Sequence, residues 1–321
     1  MKLGIFLLCE NFHANPHAVI HNDIELGVLA EKLGFDEVWF AEHHFNAFSV
    51  IPSPSLMMAT LAAKTSRIRI GSAAFLAPFY HPARLAEEIA VLDVLSNGRI
   101  NAGFAKGGFT LDMEYFEKDS QSLRAELFEN VESIDKSLHL HRVLQPKSLQ
   151  ARIPFYIATF STKESIEYAA AHGYGLMFSQ GATIDECKAA CEYYRTIAGD
   201  EPEVVITRVF SMAPTATQAH EEALIATDHF VKSMRSLNSH AAQPRFNRAN
   251  YEELLAQRHD FFDAKKFMQN AIIGTKEEVK KEILKIEKSF AKLHLVLKVA
   301  STHAGKTRKV LRELSQILQL Q

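Results

Sequence analysis

Glu42, His43 and His44 are three titratable side chains in a row, directly after the apolar run VWFA. A β-strand points successive side chains to opposite faces, so Glu42 and His44 are predicted on one face and His43 on the other. Histidine exchanges a proton near neutral pH and therefore suits general acid or base catalysis. The pattern predicts either such a catalytic group or histidines that only bond the backbone at a strand end.

Small side chains dominate a second apolar run, IGSAAFLAP, which contains Ala73 and Ala74. Small residues would allow a flat ring to approach the backbone closely. Close packing of a helix is the alternative interpretation.

Two further segments carry groups that suit a phosphate. Lys106 precedes the glycine pair 107–108, which offers open backbone N–H groups beside one positive charge. The segment FSTKES (160–165) places hydroxyls where a helix is predicted to begin, and free N–H groups at that point also favour phosphate. A plain turn and ordinary helix capping are the respective alternatives.

Regular elements must position these groups, and apolar runs that predict strands recur eight times. The runs are Leu3–Leu8, Glu37–Glu42, Ile68–Leu76, Ile100–Ala105, Phe155–Thr159, Gly175–Ser179, Val204–Ala213 and Leu293–Ala300. Residues at helical spacing lie between them, as in Leu85, Ile89, Leu92 and Leu95. Asn97 and Gly98 predict the end of that helix, and Thr275 predicts the start of a later one.

This alternation predicts parallel strands with right-handed connections, and eight units close into a (β/α)₈ TIM barrel. An open doubly wound sheet is the alternative architecture. Its nucleotide site usually follows the first strand as a glycine-rich turn. The corresponding segment here, CENFH, has no glycine, which favours the barrel.

Residues 236–270 form a polar and aromatic stretch without a clean period, between the seventh and eighth predicted strands. Such a long segment is typical of an active-site lid, and a passive surface insertion is the alternative. No linker divides the chain, so residues 1–321 are predicted to form a single domain with this insertion.

The composition excludes several classes of protein. Among 321 residues, 47% are hydrophobic and 23% charged, with a formal net charge of −2, so neither nucleic acid nor an anionic membrane is an expected partner. The run MKLGIFLLCE is interpreted as a buried first strand rather than a secretion signal. Three cysteines predict a reducing, cytoplasmic compartment, and the spacing of Cys187 and Cys191 does not predict a metal site.

Taken in order, these segments resemble the bacterial luciferase-like flavin monooxygenases. The resemblance starts at MKLGIFLL, continues through GFDEVW and EHHF, and is strongest from Ile70 to Gly108. It resumes at 155–173 and at Ile273-Gly274-Thr275, and so covers nearly the whole chain.

The resemblance implies roles for individual residues. His43 matches the family's catalytic histidine, which acts as a base or stabilises the flavin peroxide, and Glu42 is its neighbour. Ala73 and Ala74 match a pair joined by a cis peptide bond beneath the flavin ring. The remaining matches are Lys106, Ser161, Thr162 and Ser165 as phosphate contacts, and Phe6 and Ser179 as residues that line the ring pocket.

The resemblance also implies an activity: monooxygenation of a small organic molecule, such as an aldehyde or ketone, with reduced FMN and O₂. A separate reductase would supply the reduced FMN, and a homodimer is expected. Two positions depart from the family. Ala105 stands where the light-emitting enzymes have a cysteine, which argues against light emission. Lys106 stands where the family has an arginine, so a bidentate hydrogen-bond donor is exchanged for a point charge.

Three alternatives stay open from the sequence. Relatives of this fold use the deazaflavin F420 for hydride transfer, and one chain of the luciferase heterodimer is a non-catalytic partner subunit. A plain flavin-binding or storage protein is the third alternative.

Overall fold

Eight parallel strands close into a ring in the computed structural model, which describes residues 1–139, 143–159, 162–239 and 263–320. The ring runs β1 to β7 in chain order and closes through β9, which pairs with both β7 and β1. The strands are β1 Lys2–Leu7, β2 Glu37–Phe40, β3 Arg69–Leu76, β4 Ile100–Ala105, β5 Phe155–Thr159, β6 Gly175–Phe178, β7 Val204–Met212, β8 Ile272–Gly274 and β9 Leu293–Val299. The predicted TIM barrel is therefore confirmed.

The short strand β8 lies outside the ring and was not among the eight predicted runs. Strand β7 pairs with β9 along Val204–Phe210, and its last residues, Phe210–Met212, pair with β8. Three residues are too few to show a strand period in the sequence. The extra strand forms because β7 extends beyond the end of β9 and leaves backbone groups to be paired.

Helices follow the strands and cover the outside of the ring. They are α1 Pro16–Lys32, α2 Pro54–Ala62, α3 Pro82–Ser96, α4 Thr110–Tyr115, α5 Leu123–His139, α6 Lys163–His172, α7 Ile184–Ala198, α8 Ala216–Ser239, α9 Ala264–Gln269, α10 Lys276–Glu287 and α11 Ala304–Leu318. The predicted helix ends are confirmed: Asn97 takes a left-handed conformation after α3, and Thr275 caps α10 in a capping box with Glu278.

A small set of side chains fills the inside of the barrel. Trp39, Tyr156, Met177, Val205 and Val296 form one buried cluster, separate from the larger apolar layer between the strands and the helices. Gly71 is required here, because a Cβ at this position would lie 2.3 Å from the Trp39 ring.

A polar network occupies the N-terminal end of the barrel. Glu37 accepts hydrogen bonds from Trp39 Nε1 at 2.9 Å and Asn101 Nδ2 at 3.0 Å, and its carboxylate lies 2.9 Å from His294 Nδ1. Each of these groups is buried, and their mutual bonds offset the cost of leaving water. The network therefore seals the end of the barrel opposite the predicted site.

The predicted insertion, 236–270, falls largely outside the described residues, since 240–262 are not among them. Its described parts are the end of α8 and the short helix α9. Its role as a lid stays a prediction. Within the described part of the chain, no helix is long and apolar enough to cross a membrane.

Candidate active site

His43 is fixed by two loops that pair with each other at the C-terminal end of the barrel. Glu10, after β1, forms an isolated antiparallel bridge with Ser49, after β2, and Asn11 N donates to Phe48 O at 2.7 Å. The backbone N–H of His43 also donates to Ile51 O, at 2.9 Å. The segment after β2 therefore folds back on itself and presents His43 beside the first strand.

The hydrogen bonds of Ser49 determine the tautomer of His43. The Ser49 hydroxyl donates its only proton to the Leu8 carbonyl at 2.7 Å, and it lies 2.6 Å from His43 Nδ1. Because that proton is already used, Ser49 Oγ must accept, so Nδ1 carries the hydrogen. Nε2 then holds a lone pair, and none of the described residues hydrogen-bonds to it.

Burial lowers the pKa of His43, and the electrostatic effects of His44 and Lys298 lower it further, from 6.5 to about 4. The imidazole is therefore neutral at physiological pH. A neutral ring with a free lone pair can accept a proton or a hydrogen bond without first losing a proton.

Glu42 has a different environment, on the opposite side of the segment, as the strand alternation predicted. Its carboxylate lies 2.8 Å from His44 Nε2 and accepts hydrogen bonds from Tyr80 OH at 2.9 Å and from the Leu76 backbone N–H at 3.2 Å. Burial raises the pKa of Glu42, although these partners oppose the rise. With all three contacts inside the protein, Glu42 ties the end of β2 to the end of β3.

The end of β3 contains the small pair that the resemblance singled out. The Ala73–Ala74 peptide bond is cis, as the resemblance implied. The pairing with β4 changes register between Ser72 and Phe75, so the chain bulges where the two alanines lie. Phe6, Ala73, Ala74 and Ala105 all pack on the cluster inside the barrel. The structure therefore brings together three of the predicted ring-pocket residues at one end of the barrel interior.

The predicted phosphate residues follow the adjacent strands β4 and β5. Lys106 comes directly after β4, and the next residue, Gly107, has a φ of +69° and faces the Phe79 ring. Thr162 precedes α6 and donates from its hydroxyl to Ser165 Oγ at 3.0 Å. Ser161 lies outside the described residues.

Helix α6 begins without a side-chain cap within the described residues, although Thr162 occupies the capping position. The Thr162 hydroxyl bonds Ser165 instead of a backbone N–H. The first turn of a helix therefore offers N–H donors near two hydroxyls, an arrangement that suits an anion.

Ser179 comes directly after β6, which ends one residue before the end of the predicted run, and its hydroxyl accepts a hydrogen bond from Gly181 N at 3.4 Å. Its neighbour Gln180 and the last residue of β5, Thr159, are buried. The Thr159 hydroxyl and the Gln180 side-chain oxygen have no hydrogen-bond partner among the described residues. Buried polar atoms in a protein are nearly always paired. These two atoms thus fit the presence of a polar ligand at this end of the barrel.

Several residues of the site were not anticipated from the sequence. Ser49 and Tyr80 hold His43 and Glu42 respectively, and Lys298 forms a buried ion pair with Glu10 at 2.6 Å. Lys298 had a detectable signal, because it interrupts the apolar strand LHLVLKV with a charge. Ser49 had none, since serine in a loop is common.

Comparison with known proteins places the chain in a family. The model of the luciferase-like monooxygenases matches residues 1–292. The chain belongs to this family. It is 31% identical over 213 residues to the alkanal monooxygenase alpha chain of Photorhabdus luminescens, a match that covers 62% of this chain and 59% of that protein. It is 28% identical over 284 residues to the oxygenase component of the flavin-dependent trigonelline monooxygenase of Acinetobacter baylyi, covering 80% of this chain and 77% of the relative.

A third relative, an uncharacterised protein of Sinorhizobium fredii, is matched over 51% of its length. The matches therefore span from about half to about three quarters of the length of these curated relatives. Solved structures share the fold along the full chain. The monooxygenase RslO1 from Streptomyces bottropensis has a TM-score of 0.84 at 23% identity, with 99% of each chain covered.

Two further structures of this luciferase-like fold differ in cofactor. The oxygenating constituent of 3,6-diketocamphane monooxygenase from Pseudomonas putida, in complex with FMN, has a TM-score of 0.75 at 16% identity, and the match covers 100% of this chain and 97% of that one. An F420-dependent secondary alcohol dehydrogenase has a TM-score of 0.73 at 19% identity, with 99% and 98% covered. At these identities the likeness concerns the fold alone.

Proposed function

We propose that this luciferase-like protein is the oxygenase component of a two-component flavin monooxygenase, with a small organic acceptor such as an aldehyde or ketone. The observation that carries the proposal is His43, held neutral with an open lone pair on Nε2, at the same end of the barrel as the Ala73–Ala74 pair. Reduced FMN would supply two electrons to O₂, so that one oxygen atom enters the acceptor and the other leaves as water.

The residues of this chain would bind and orient the flavin. Lys106, Thr162 and Ser165 would hold the phosphate at the ends of β4 and β5, and Ala73 and Ala74 leave space for the flat ring. Thr159 and Gln180 offer buried polar atoms that a flavin could pair, which supports a fit between these residues and FMN.

His43 would act as the acid–base group, accepting a proton at Nε2 during the reaction and returning it later. Glu42 would position the ends of β2 and β3 around it through His44, Leu76 and Tyr80. The stretch 236–270 would close over the site and exclude water, which limits loss of reduced flavin to hydrogen peroxide.

The family resemblance also supports a homodimer with a separate flavin reductase as partner. Large apolar side chains are exposed along α3, where Val91 is 41%, Val94 36% and Leu95 53% exposed. A second copy of the chain would cover this face.

Oxygen uptake tests the proposed activity. The purified chain would be supplied with FMN, NADH and a generic flavin reductase, with and without a panel of aldehydes and ketones. Uptake that depends on the acceptor, without matching peroxide release, is expected. Absence of any change above the reductase background would favour the F420 enzyme or the non-catalytic subunit. A plain flavin-binding protein would bind oxidised FMN tightly and leave oxygen uptake unchanged.

A further inference from the structure

Lys298 is a buried cation inside the barrel, at the same end as His43. Val296 belongs to the cluster inside the barrel, so Lys298, two residues further along β9, also faces inward. Its side chain is 1% exposed, and its Nζ lies 2.6 Å from Glu10 Oε1. An ion pair removed from water to this extent carries a large desolvation cost and is weak evidence for stability. Its position therefore calls for another explanation.

Two contacts connect Lys298 to His43. The first passes through Phe230 of α8, whose ring centroid lies 4.5 Å from Lys298 Nζ and 6.5 Å from the centroid of the His43 ring. The second passes through Glu10, which bridges Ser49, the residue that fixes His43 Nδ1. Lys298 thus contacts the same aromatic ring as His43, and its partner Glu10 pairs with the loop residue that bonds His43.

Other titratable groups of the described chain face this region from each neighbouring element. Glu42 and His44 belong to the segment of His43 itself and are paired with each other. Glu10 comes from the loop after β1, and His229 of α8 packs its ring against Phe48 with centroids 4.6 Å apart. Among these groups, Lys298 supplies the positive member of the buried ion pair with Glu10.

We propose that Lys298 is a positioning residue: its ammonium, held by Glu10 and by the face of Phe230, adds to burial in keeping His43 uncharged, so that Nε2 is unprotonated before the reaction begins. A nearby positive charge disfavours the imidazolium form, and the weak screening inside the barrel strengthens this effect. The purpose of this arrangement rests on the proposed function, in which His43 is the acid–base group. The electrostatic effect of Lys298 on His43 does not rest on the proposed function.

Titration of His43 by NMR tests the proposal on the protein alone, without flavin, oxygen or an acceptor. The chain has 15 histidines, and comparison with the His43→Ala spectrum assigns the imidazole resonances. In the parent protein we expect a His43 pKa clearly below 6.5. Lys298→Met should raise it by about one pH unit, and Lys298→Arg should keep it low.

Glu10→Gln separates charge from structure. It removes the anion and keeps the cation, so the pKa of His43 should not rise in this variant. If the Lys298–Glu10 pair acted only through packing, Lys298→Met and Glu10→Gln would both shift the pKa of His43 in the same direction. If Lys298→Met fails to fold, the parent value and the Glu10→Gln titration still decide the matter.

Three results would overturn the inference: a parent His43 pKa near 6.5, an unchanged value in Lys298→Met, or a rise in Glu10→Gln. None of these depends on turnover. A failure of the oxygen-uptake experiment would therefore leave the electrostatic assignment standing, and a failure of the titration would leave the proposed monooxygenase untouched.

Discussion

The two histidines that follow β2 are adjacent in the chain and have different partners. His44 lies 2.8 Å from Glu42, whereas the Nδ1 of His43 donates to Ser49. Alternation of side chains separates them, so each ring has its own partner, and for His43 this partner determines the tautomer. The difference makes His43 the better acid–base group, since its Nε2 keeps a lone pair.

Replacement of His43 by Ala should lower turnover by about 10²- to 10⁴-fold, because the acid–base group is lost. FMN affinity should stay nearly the same, since the imidazole bonds only Ser49 among the described residues. Ser49→Ala should cause a smaller loss, of about tenfold or less, because it removes one hydrogen bond and the preference for one tautomer. Steady-state kinetics with a responsive acceptor would measure both effects.

The exposed His17 of α1 provides a matched control, and His17→Ala should behave as the parent. Equal turnover of His43→Ala and the parent would remove His43 from the proposed mechanism.

Lys106→Ala should raise the dissociation constant of FMN by about ten- to a hundredfold, because a charge-assisted hydrogen bond to phosphate is lost. Riboflavin, which lacks the phosphate, should bind both proteins equally. Quenching of flavin fluorescence gives both constants. Lys232→Ala on the exposed face of α8 removes the same charge elsewhere and should change neither constant. An equal loss of riboflavin affinity in Lys106→Ala would contradict the phosphate assignment.

Neighbouring strands and helices contribute the two halves of the site. The ends of β2 and β3 carry His43, Glu42 and the two alanines, while the end of β4 and the start of α6 carry the predicted phosphate residues. The polar network of Glu37 and His294 occupies the opposite end of β2 and β9. Strand β2 thus carries the buried carboxylate of Glu37 at its start and leads directly into the segment for which a catalytic role is proposed.

The Glu37–His294 pair predicts a pH-dependent stability. Burial opposes the charged form of His294, but its hydrogen bonds to Glu203 and Glu37 outweigh burial and raise its pKa above 6.5. A raised pKa means that the folded state binds the proton more tightly than the unfolded state. The contribution of His294 to the stability of the folded state is therefore complete below pH 6.5. It decreases as the pH rises through the raised pKa of His294 in the folded protein.

His294→Gln should reduce the free energy of unfolding by about 3–5 kcal/mol near pH 6, because it leaves buried Glu37 without its cation. The difference from the parent should become smaller as the pH rises through the raised pKa of His294, where the parent loses this proton. Urea unfolding across a pH series measures it. His17→Gln is the control for a surface histidine, and a deficit that grows with pH would contradict the assignment.

The order of the strands around the closed ring determines which parts of the molecule lie opposite each other. In a ring of eight strands, β4 lies opposite β9 and β5 lies opposite β1. The predicted phosphate residues are therefore on one side of the barrel, and Lys298 with Glu10 is on the other.

The exposed apolar side chains of α3 predict how two copies would meet. Leu95→Asp should convert a dimer into monomers, because it places a charge in a surface that would be buried. Sedimentation or light scattering would measure the mass. Ile225→Asp changes a residue of α8 that is 62% exposed and should leave the dimer intact. A parent protein that is already monomeric would contradict the dimer.

The sequence by itself predicted the barrel, because eight apolar runs alternate with helical segments and parallel strands have few ways to close. It also placed Glu42 and His43 at a strand end, since the chemistry of these side chains is visible without coordinates. The position of Thr275 at a helix start followed from local hydrogen-bonding rules, which act within four residues.

Only the tertiary structure decided what depends on residues far apart in the chain. Strand β8 exists because β7 extends past β9, and a three-residue segment has no period of its own. The tautomer of His43 depends on Ser49 and Leu8, and its charge depends on burial and on Lys298, which is more than 250 positions away. Electrostatic fields and hydrogen bonds act through space, so their effect on one histidine cannot be derived from its neighbours in the sequence.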